Sequence, residues 1–317
     1  MTSILLVKTS SLGDVVHNLP VVSDIHNALP GATIDWLVED TYEAIPRLHA
    51  GVRAVIPMGV RRWRKSWWRR ETRHELRAAI ARLQSQRYDA IVDSQGLLKS
   101  ALVTRAARGM RYGLDWKSAR EPLAWLYDRT FSVSWTLHAV ERNRVLLARA
   151  LGYERGPEVE YGISAPRDPA SASDDYAVLM HSTSARAKLW REDDWVLCAD
   201  WLAEAGTRVI LPWGSAEERS RSERLAARMS HATVPHLLAL SEAAALLARA
   251  RLVIGLDTGL THLAGALGVP TVGVYVSTDP RATGLYGCRC ALNTGSERGA
   301  PSAGEVIACA SSLLKAA

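Results

Sequence analysis

Long apolar runs are missing from this chain. None approaches the roughly 18–20 residues that a helix needs to cross a bilayer. At the N-terminus four apolar residues, Ile4 to Val7, precede Lys8, too few for a secretory signal. These absences lead to the expectation of a cytoplasmic protein. Cysteine is scarce as well. Cys198, Cys288, Cys290 and Cys309 lack zinc-site spacing, and Cys288-x-Cys290 is not a redox CxxC, so they read as buried or incidental thiols. The Asp-x-Asp triplet, a common divalent-metal motif, is also absent.

What is present is a soluble globular composition, 48% apolar and 23% charged over 317 residues, with room for two α/β domains. The 39 basic and 33 acidic residues leave a formal net charge of +6. Arg61 to Arg73 alone holds seven basic residues against one acid, Glu71. The excess charge is therefore one local patch. Three tryptophans, Trp63, Trp67 and Trp68, sit among those cations. Arg and Lys match phosphate geometry and Trp suits a half-wet interface. An anionic lipid headgroup or a phosphorylated sugar fits these residue types better than nucleic acid, which a single short patch without a fold signature supports poorly.

The stretch Leu252 to Pro280 organises the second half. Two β-branched apolar runs flank about three turns of small-residue helix, which predicts a βαβ unit with parallel strands. The cluster Asp257-Thr258-Gly259-Leu260-Thr261-His262 falls where the first strand feeds the helix N-terminus. Open α/β sheets bind ligands there, and the helix end favours a phosphate. An ordinary capped turn accounts for the same residues, so this stretch alone leaves both readings open.

In chain order, Ser3–Lys8 reads as a buried strand. The hydroxyl-rich loop Thr9 to Asp14 follows, then an amphipathic helix with Pro20 as a kink. Asp14 serves either as a first-turn acid complementing the helix dipole or as a general base at the strand's carboxyl end. Strands are expected at Thr33–Glu39, Arg53–Pro57, Tyr88–Ser94 and Met110–Leu114. Helices are expected through about Ser85, over Leu97–Ala107, Ala119–Asp128 and His138–Leu151. Gly156 to Asp174, rich in Pro, Ser and Gly, reads as a linker. Alternation then resumes: strands at Tyr176–His181 and Arg208–Leu211, helices at Asp193–Ala205, Glu217–Met229, Glu242–Ala250 and Ala303–Lys315. Beside His181, Thr183, Ser184 and Lys188 offer hydroxyl and ammonium donors suited to a diphosphate. Pro212-Trp213-Gly214 with Glu217 and Glu218 ends a further strand.

Together these pieces resemble the lipopolysaccharide heptosyltransferases, glycosyltransferase family 9. The resemblance spans essentially the whole chain and is carried by Ile4–Pro20, Val60–Lys65, Asp93–Leu98, His138–Arg142, Lys188–Trp190, Leu211–Gly214 and Asp257–Asp279. It implies an α/β GT-B architecture: two Rossmann-like, doubly wound parallel-sheet domains facing across a cleft. The expected division is residues 1–156 for acceptor binding, a linker at 157–174, and 175–317 for the nucleotide sugar, with the terminal helix packing back on the first domain.

The resemblance also implies the reaction, inverting transfer of L-glycero-D-manno-heptose from ADP-heptose to the Kdo residue of Kdo2-lipid A. The run Arg61-Arg62-x-Arg64-Lys65 matches the acceptor segment of members that add the first heptose. The alternative is a member adding the second, or another nucleotide-sugar transferase of this fold. Carried over by residue, Asp14 is the catalytic aspartate and Lys188 the pyrophosphate lysine. Donor contacts fall on Thr183, Ser184, Glu218 (or Glu217), Leu240, Asp257, Thr258, Gly259, Leu260 and His262. Acceptor contacts fall on Ser10, Ser11, Gly13, Arg61, Arg62, Arg64, Lys65 and Arg120. No metal and no obligatory cofactor are expected, the donor being a substrate. A monomer on the cytoplasmic face of the inner membrane is expected, held to its anionic surface by Arg61 to Arg70, with no nucleic-acid partner.

Overall fold

A computed structural model describes residues 2–165, 175–183 and 185–316. The chain divides into two compact units, Met1–Ile163 and Ser164–Ala317.

The first unit runs β1 (Ser3–Val7), α1 (Leu12–Val16), α2 (Pro20–Ala28), β2 (Thr33–Glu39), β3 (Val52–Met58), α3 (Val60–Ser66) and α4 (Arg70–Gln84). It continues with β4 (Arg87–Asp93), α5 (Leu98–Ala106), β5 (Arg108–Leu114), β6 (Arg129–Phe131) and α6 (Ala139–Leu151). All its strands are parallel, in the order β3-β2-β1-β4-β5-β6. β1 is apolar from Ile4 to Val7, where both its faces are covered. On one face α3, α4 and the residue closing α5 bury Trp63, Leu83 and Ala107 against Leu5, Val7 and Ile91. The order reverses between β1 and β4, so their carboxyl ends open the crevice where a doubly wound sheet binds ligands.

The second unit runs β7 (Tyr176–Met180), α7 (Glu192–Glu204), β8 (Arg208–Ile210), α8 (Ala216–Ala226), β9 (Ala232–Thr233) and α9 (Leu240–Ala248). There follow β10 (Leu252–Leu256), α10 (Gly259–Ala266), β11 (Thr271–Tyr275), α11 (Pro280–Thr283), β12 (Ala291–Gly295) and α12 (Ala303–Ala316). Its parallel order, β12-β11-β10-β7-β8-β9, repeats the connectivity of the first sheet. The βαβ reading of Leu252–Tyr275 holds: β10 pairs in parallel with β11 across α10.

Several expectations need correction. Pro20 does not kink one helix; it is the first residue of α2, where its missing N–H costs nothing, and a turn separates α2 from α1. No helix covers Ala119–Asp128. Pro122 falls inside that stretch, which forms a 3-10 turn at Ala124–Leu126 and then β6. Leu123, Leu126 and Tyr127 instead cover α5 at Ala101. The short strands β9 and β12 were not anticipated, since two residues and a polar ALNTG segment carry no strand signal.

The expected linker begins too early. Residues 157–163 belong to the first unit, with Tyr161 buried and Ile163 bridged to His49. The guanidinium of Arg144, 1% exposed, holds Asp24 and Glu141 and also donates to the carbonyls of Gly156 and Glu158. The remainder of the linker, 166–174, lies outside the described residues. Within the second unit Ala303, Val306 and Ala310 of α12 join the core formed by α7 and the β10–β11 strands.

Candidate functional site

In the first unit, the segment leaving β1 carries Lys8, Thr9, Ser10 and Ser11 into α1. Asp14, in the first turn of α1, accepts hydrogen bonds at Oδ2 from the Ser11 amide (2.8 Å) and hydroxyl (3.2 Å). This is half of a capping box, so the dipole-complementing arrangement read from sequence is present. It also fixes the half-buried carboxylate beside a recess. Gln95, just past β4, accepts from the amides of Thr9 (3.1 Å) and Ser10 (3.0 Å), stapling the two strand ends together.

Lys8, 6% exposed, lies in the same recess and donates to the Ser94 carbonyl (2.8 Å) and Asn143 Oδ1 (3.3 Å). Burial lowers its pKa, opposed by the nearby charge of Asp14. Arg120 and Arg142 line the recess as well. The Arg142 guanidinium lies 3.4 Å from the centre of the Trp135 ring and donates to the Ser118 carbonyl. Burial, then repulsion from Arg120, pushes its pKa down to about 10. Lys99, at the start of α5, donates to Ser10 Oγ (2.6 Å). Its pKa is lowered by burial and by Arg61, against the pull of Glu39 and Asp14. Lys99 thus ties the Asp14 loop to α5.

That helix, α3, is held by Trp63, whose indole is buried and donates to Glu75 (2.8 Å), and by Glu39, which accepts from the Arg61 amide (2.7 Å). The tryptophans therefore do not act as one group: Trp63 is core, whereas Trp67 and Trp68 are exposed and meet edge to face. The cations differ too. Arg62 pairs with Glu75 (2.7 Å) and Asp40 (3.3 Å), so its charge is largely spent. Arg61 lies over Tyr42, and Arg64 and Lys65 are exposed.

In the second unit, Lys188 ends a 3-10 turn beyond β7, and Asp257 follows β10 directly. These strands are neighbours at the point where this sheet reverses its order. Lys188 Nζ donates to Asp257 Oδ2 (2.7 Å); Thr278, beyond β11, donates to the same oxygen (3.0 Å), and the ring of the buried His262 meets Oδ1 (3.3 Å). Burial would raise the Asp257 carboxyl, but its bonds from His262 and Lys188 outweigh that and hold it well below the ordinary carboxylate range. Thr258 caps α10, so the first turn at Gly259 and Leu260 points its amides toward this cluster's edge of the sheet. Thr261 bonds back to the Leu256 carbonyl (2.7 Å) and folds over Gly255, where a Cβ would sit 2.2 Å from its hydroxyl. Only glycine fits there.

Thr183 is half-buried in the same segment as Lys188; Ser184 lies outside the described residues. The two candidate glutamates separate clearly. Glu218 accepts from the Gly214 amide (2.7 Å) and sits in the capped first turn of α8, whereas Glu217 reaches outward to Arg186. Leu240 is the first residue of α9. His181, fully buried between Ser182 and Ser222, is a neutral structural imidazole, its pKa pushed down to about 3 by burial and by Arg221.

Reasoning from sequence missed Lys8, Lys99, Gln95 and Arg142. Lys8 had a legible signal, a lone cation ending a buried strand. The other three come from loops and helix starts whose proximity to Asp14 only the sheet order creates.

Comparison with known proteins adds three findings. The family model described as "Glycosyltransferase family 9 (heptosyltransferase)" matches residues 76–306. The lipopolysaccharide heptosyltransferase 1 of Pseudomonas aeruginosa is 46% identical over 301 residues, 93% of this chain and 84% of that one. Two solved structures of the E. coli heptosyltransferase WaaC superpose closely. The complex with ADP gives a TM-score of 0.90 at 39% identity, covering 98% of this chain and 100% of that one. The complex with ADP-2-deoxy-2-fluoro heptose gives 0.85 at 38% identity, covering 97% and 98%.

Proposed function

We infer, from the premise that this chain belongs to glycosyltransferase family 9, the heptosyltransferases, that it moves heptose from ADP-heptose to the Kdo sugar of Kdo2-lipid A. The observation that carries the reading is the cluster at the switch point of the second sheet, where Lys188, Asp257 and the first turn of α10 meet. An ammonium has three donors, and Asp257 occupies one of those on Lys188. The others, with the α10 amides and the Thr183 hydroxyl, are suited to a diphosphate. Glu218 rather than Glu217 is positioned for the ribose, and Leu240 for the adenine.

Inverting transfer is a single in-line displacement. Asp14 takes the proton from the acceptor hydroxyl as that oxygen forms its bond to the anomeric carbon. The bond from that carbon to the diphosphate oxygen breaks, and ADP departs with its electron pair. A positioned base contributes roughly 10²–10⁴-fold, and charge stabilisation on the leaving diphosphate supplies much of the remainder. Asp257, ordered by His262 and Thr278, positions Lys188 and carries no proton in this scheme. Ser10, Ser11, Gly13 and Arg120 bound the acceptor side around Asp14. Arg61, Arg64 and Lys65 meet the anionic groups of the lipid acceptor and of the membrane face that holds it, with Arg62 serving mainly to fix α3. The chain acts as a monomer bound peripherally at the cytoplasmic face of the inner membrane; no helix among the described residues is long and apolar enough to cross it.

The direct test is turnover of ADP-heptose with Kdo2-lipid A, the product identified by its mass. Absence of a heptosylated product under conditions where ADP-heptose binds would refute the reading. Donor and acceptor screens separate it from addition of the second heptose.

A further inference from the structure

The helices α3, α4 and α5 lie on one face of the first sheet, and their inward sides account for its core. Their outward side is unusual. Trp67 and Trp68, between α3 and α4, are 68% and 60% exposed. On α5, Leu98 and Leu102 are one helical turn apart and both point outward, 48% and 56% exposed, while Ala101 of the same helix is fully buried. Trp125, on the 3-10 turn that packs on α5, is 67% exposed, although its neighbours Ala124 and Leu126 are buried.

Single exposed apolar residues need no explanation, but large ones recurring on one helix layer do. α5 packs beside α4, whose exposed side carries Arg70, Arg73 and Arg77. Cations with interspersed Trp and Leu are the composition that settles at an anionic bilayer interface: the charges meet headgroups and the apolar side chains enter the acyl boundary. The apolar groups here project from helices and turns with about half or more of their surface free, as side chains entering a lipid boundary would. The stripe also starts at the acceptor loop, since Leu98 adjoins Lys99, which holds Ser10.

We propose that Leu98 and Leu102 of α5, with Trp125 beside them, form a second membrane-contact element, which meets an anionic lipid surface together with Trp67, Trp68 and the basic helix. The proposal rests on the heptosyltransferase reading for its purpose, a sugar acceptor anchored in a bilayer. The lipid's chains stay in the membrane while its sugar reaches Asp14.

The test compares the wild type with the double variant Leu102→Ser, Trp125→Ser. Binding is measured to mixed phosphatidylglycerol–phosphatidylethanolamine vesicles, and turnover with an acyl-stripped, soluble acceptor. Vesicle affinity should fall roughly tenfold or more from the lost apolar contact, with soluble-acceptor turnover and melting temperature unchanged. Unchanged vesicle affinity overturns the proposal, as does a wild type that ignores the vesicles. So does a variant that alters only self-association by light scattering, which would assign the patch to a second copy of the chain. Should the double variant fail to fold, Leu102→Glu alone carries the same expectation. Loss of vesicle binding in a chain that heptosylates neither acceptor would refute the enzymatic reading and leave the docking surface standing.

Discussion

Lys188 and Asp257, 69 residues apart, meet at 2.7 Å at the carboxyl ends of adjacent strands. In the proposed donor site this carboxylate holds the ammonium in place. Lys188→Ala is expected to weaken ADP-heptose binding about tenfold or more and to lower kcat/KM further, because charge builds on the diphosphate as it leaves. Asp257→Asn should instead preserve ADP affinity while lowering kcat, since the lysine loses its guide but keeps its charge. Calorimetric titration with ADP beside steady-state kinetics checks both; equal donor affinity in Lys188→Ala and wild type would refute the site.

Asp14→Ala should reduce kcat by two decades or more with donor binding unchanged, the signature of a lost base. Asp14→Asn keeps the Ser11 hydrogen bonds that cap α1 and should be equally slow. Near-normal turnover in the asparagine variant would leave Asp14 as a helix cap only.

Stability should fall on mild acidification, with His181 a main contributor. Its folded pKa, about 3, lies below the ordinary 6.5. Between those values the unfolded chain binds a proton that the folded chain refuses, so the contribution is complete above 6.5 and declines as the pH drops toward 3. The slope is at most about 1.4 kcal/mol per pH unit for one proton. His49, pushed down to about 4 by burial, adds a second proton in the same direction. Urea unfolding of His181→Gln between pH 7 and pH 4.5 should show a shallower slope than wild type; equal slopes would remove His181 from the account.

Trp63→Ala should destabilise the fold by about 3–5 kcal/mol, the usual cost of emptying a buried aromatic site. Trp67→Ala, at an exposed position, should change stability by less than about 0.5 kcal/mol. Denaturant midpoints of the two variants distinguish them, and similar losses would contradict the division between core and surface.

The alternation of strands and helices was legible because central parallel strands must be apolar on both faces. Ser3–Val7 and Leu252–Leu256 announce themselves that way, and the polar residues directly after them mark both candidate ligand edges. Edge strands were not legible: β9 is two residues long, and β12 draws its identity from pairing with β11 rather than from its side chains. Pro20 misled because a proline within a helical pattern looks the same whether it bends one helix or begins another. At the candidate sites, Asp257 directly follows a strand and Asp14 and Lys188 lie in the segments that leave one, so they could be picked out. The Lys188–Asp257 contact itself could not, since it depends on which strands become neighbours. The three tryptophans of the basic segment look alike in sequence, and only the helix's register against the sheet decides which one turns inward.

That register has an evolutionary consequence. With Trp63 and Glu39 anchoring α3 from beneath, the outward cations at Arg64 and Lys65 carry almost none of the helix's hold on the sheet. Their number and spacing are free to drift without loss of the helix's anchorage. The scaffold would tolerate that retuning without a compensating change elsewhere.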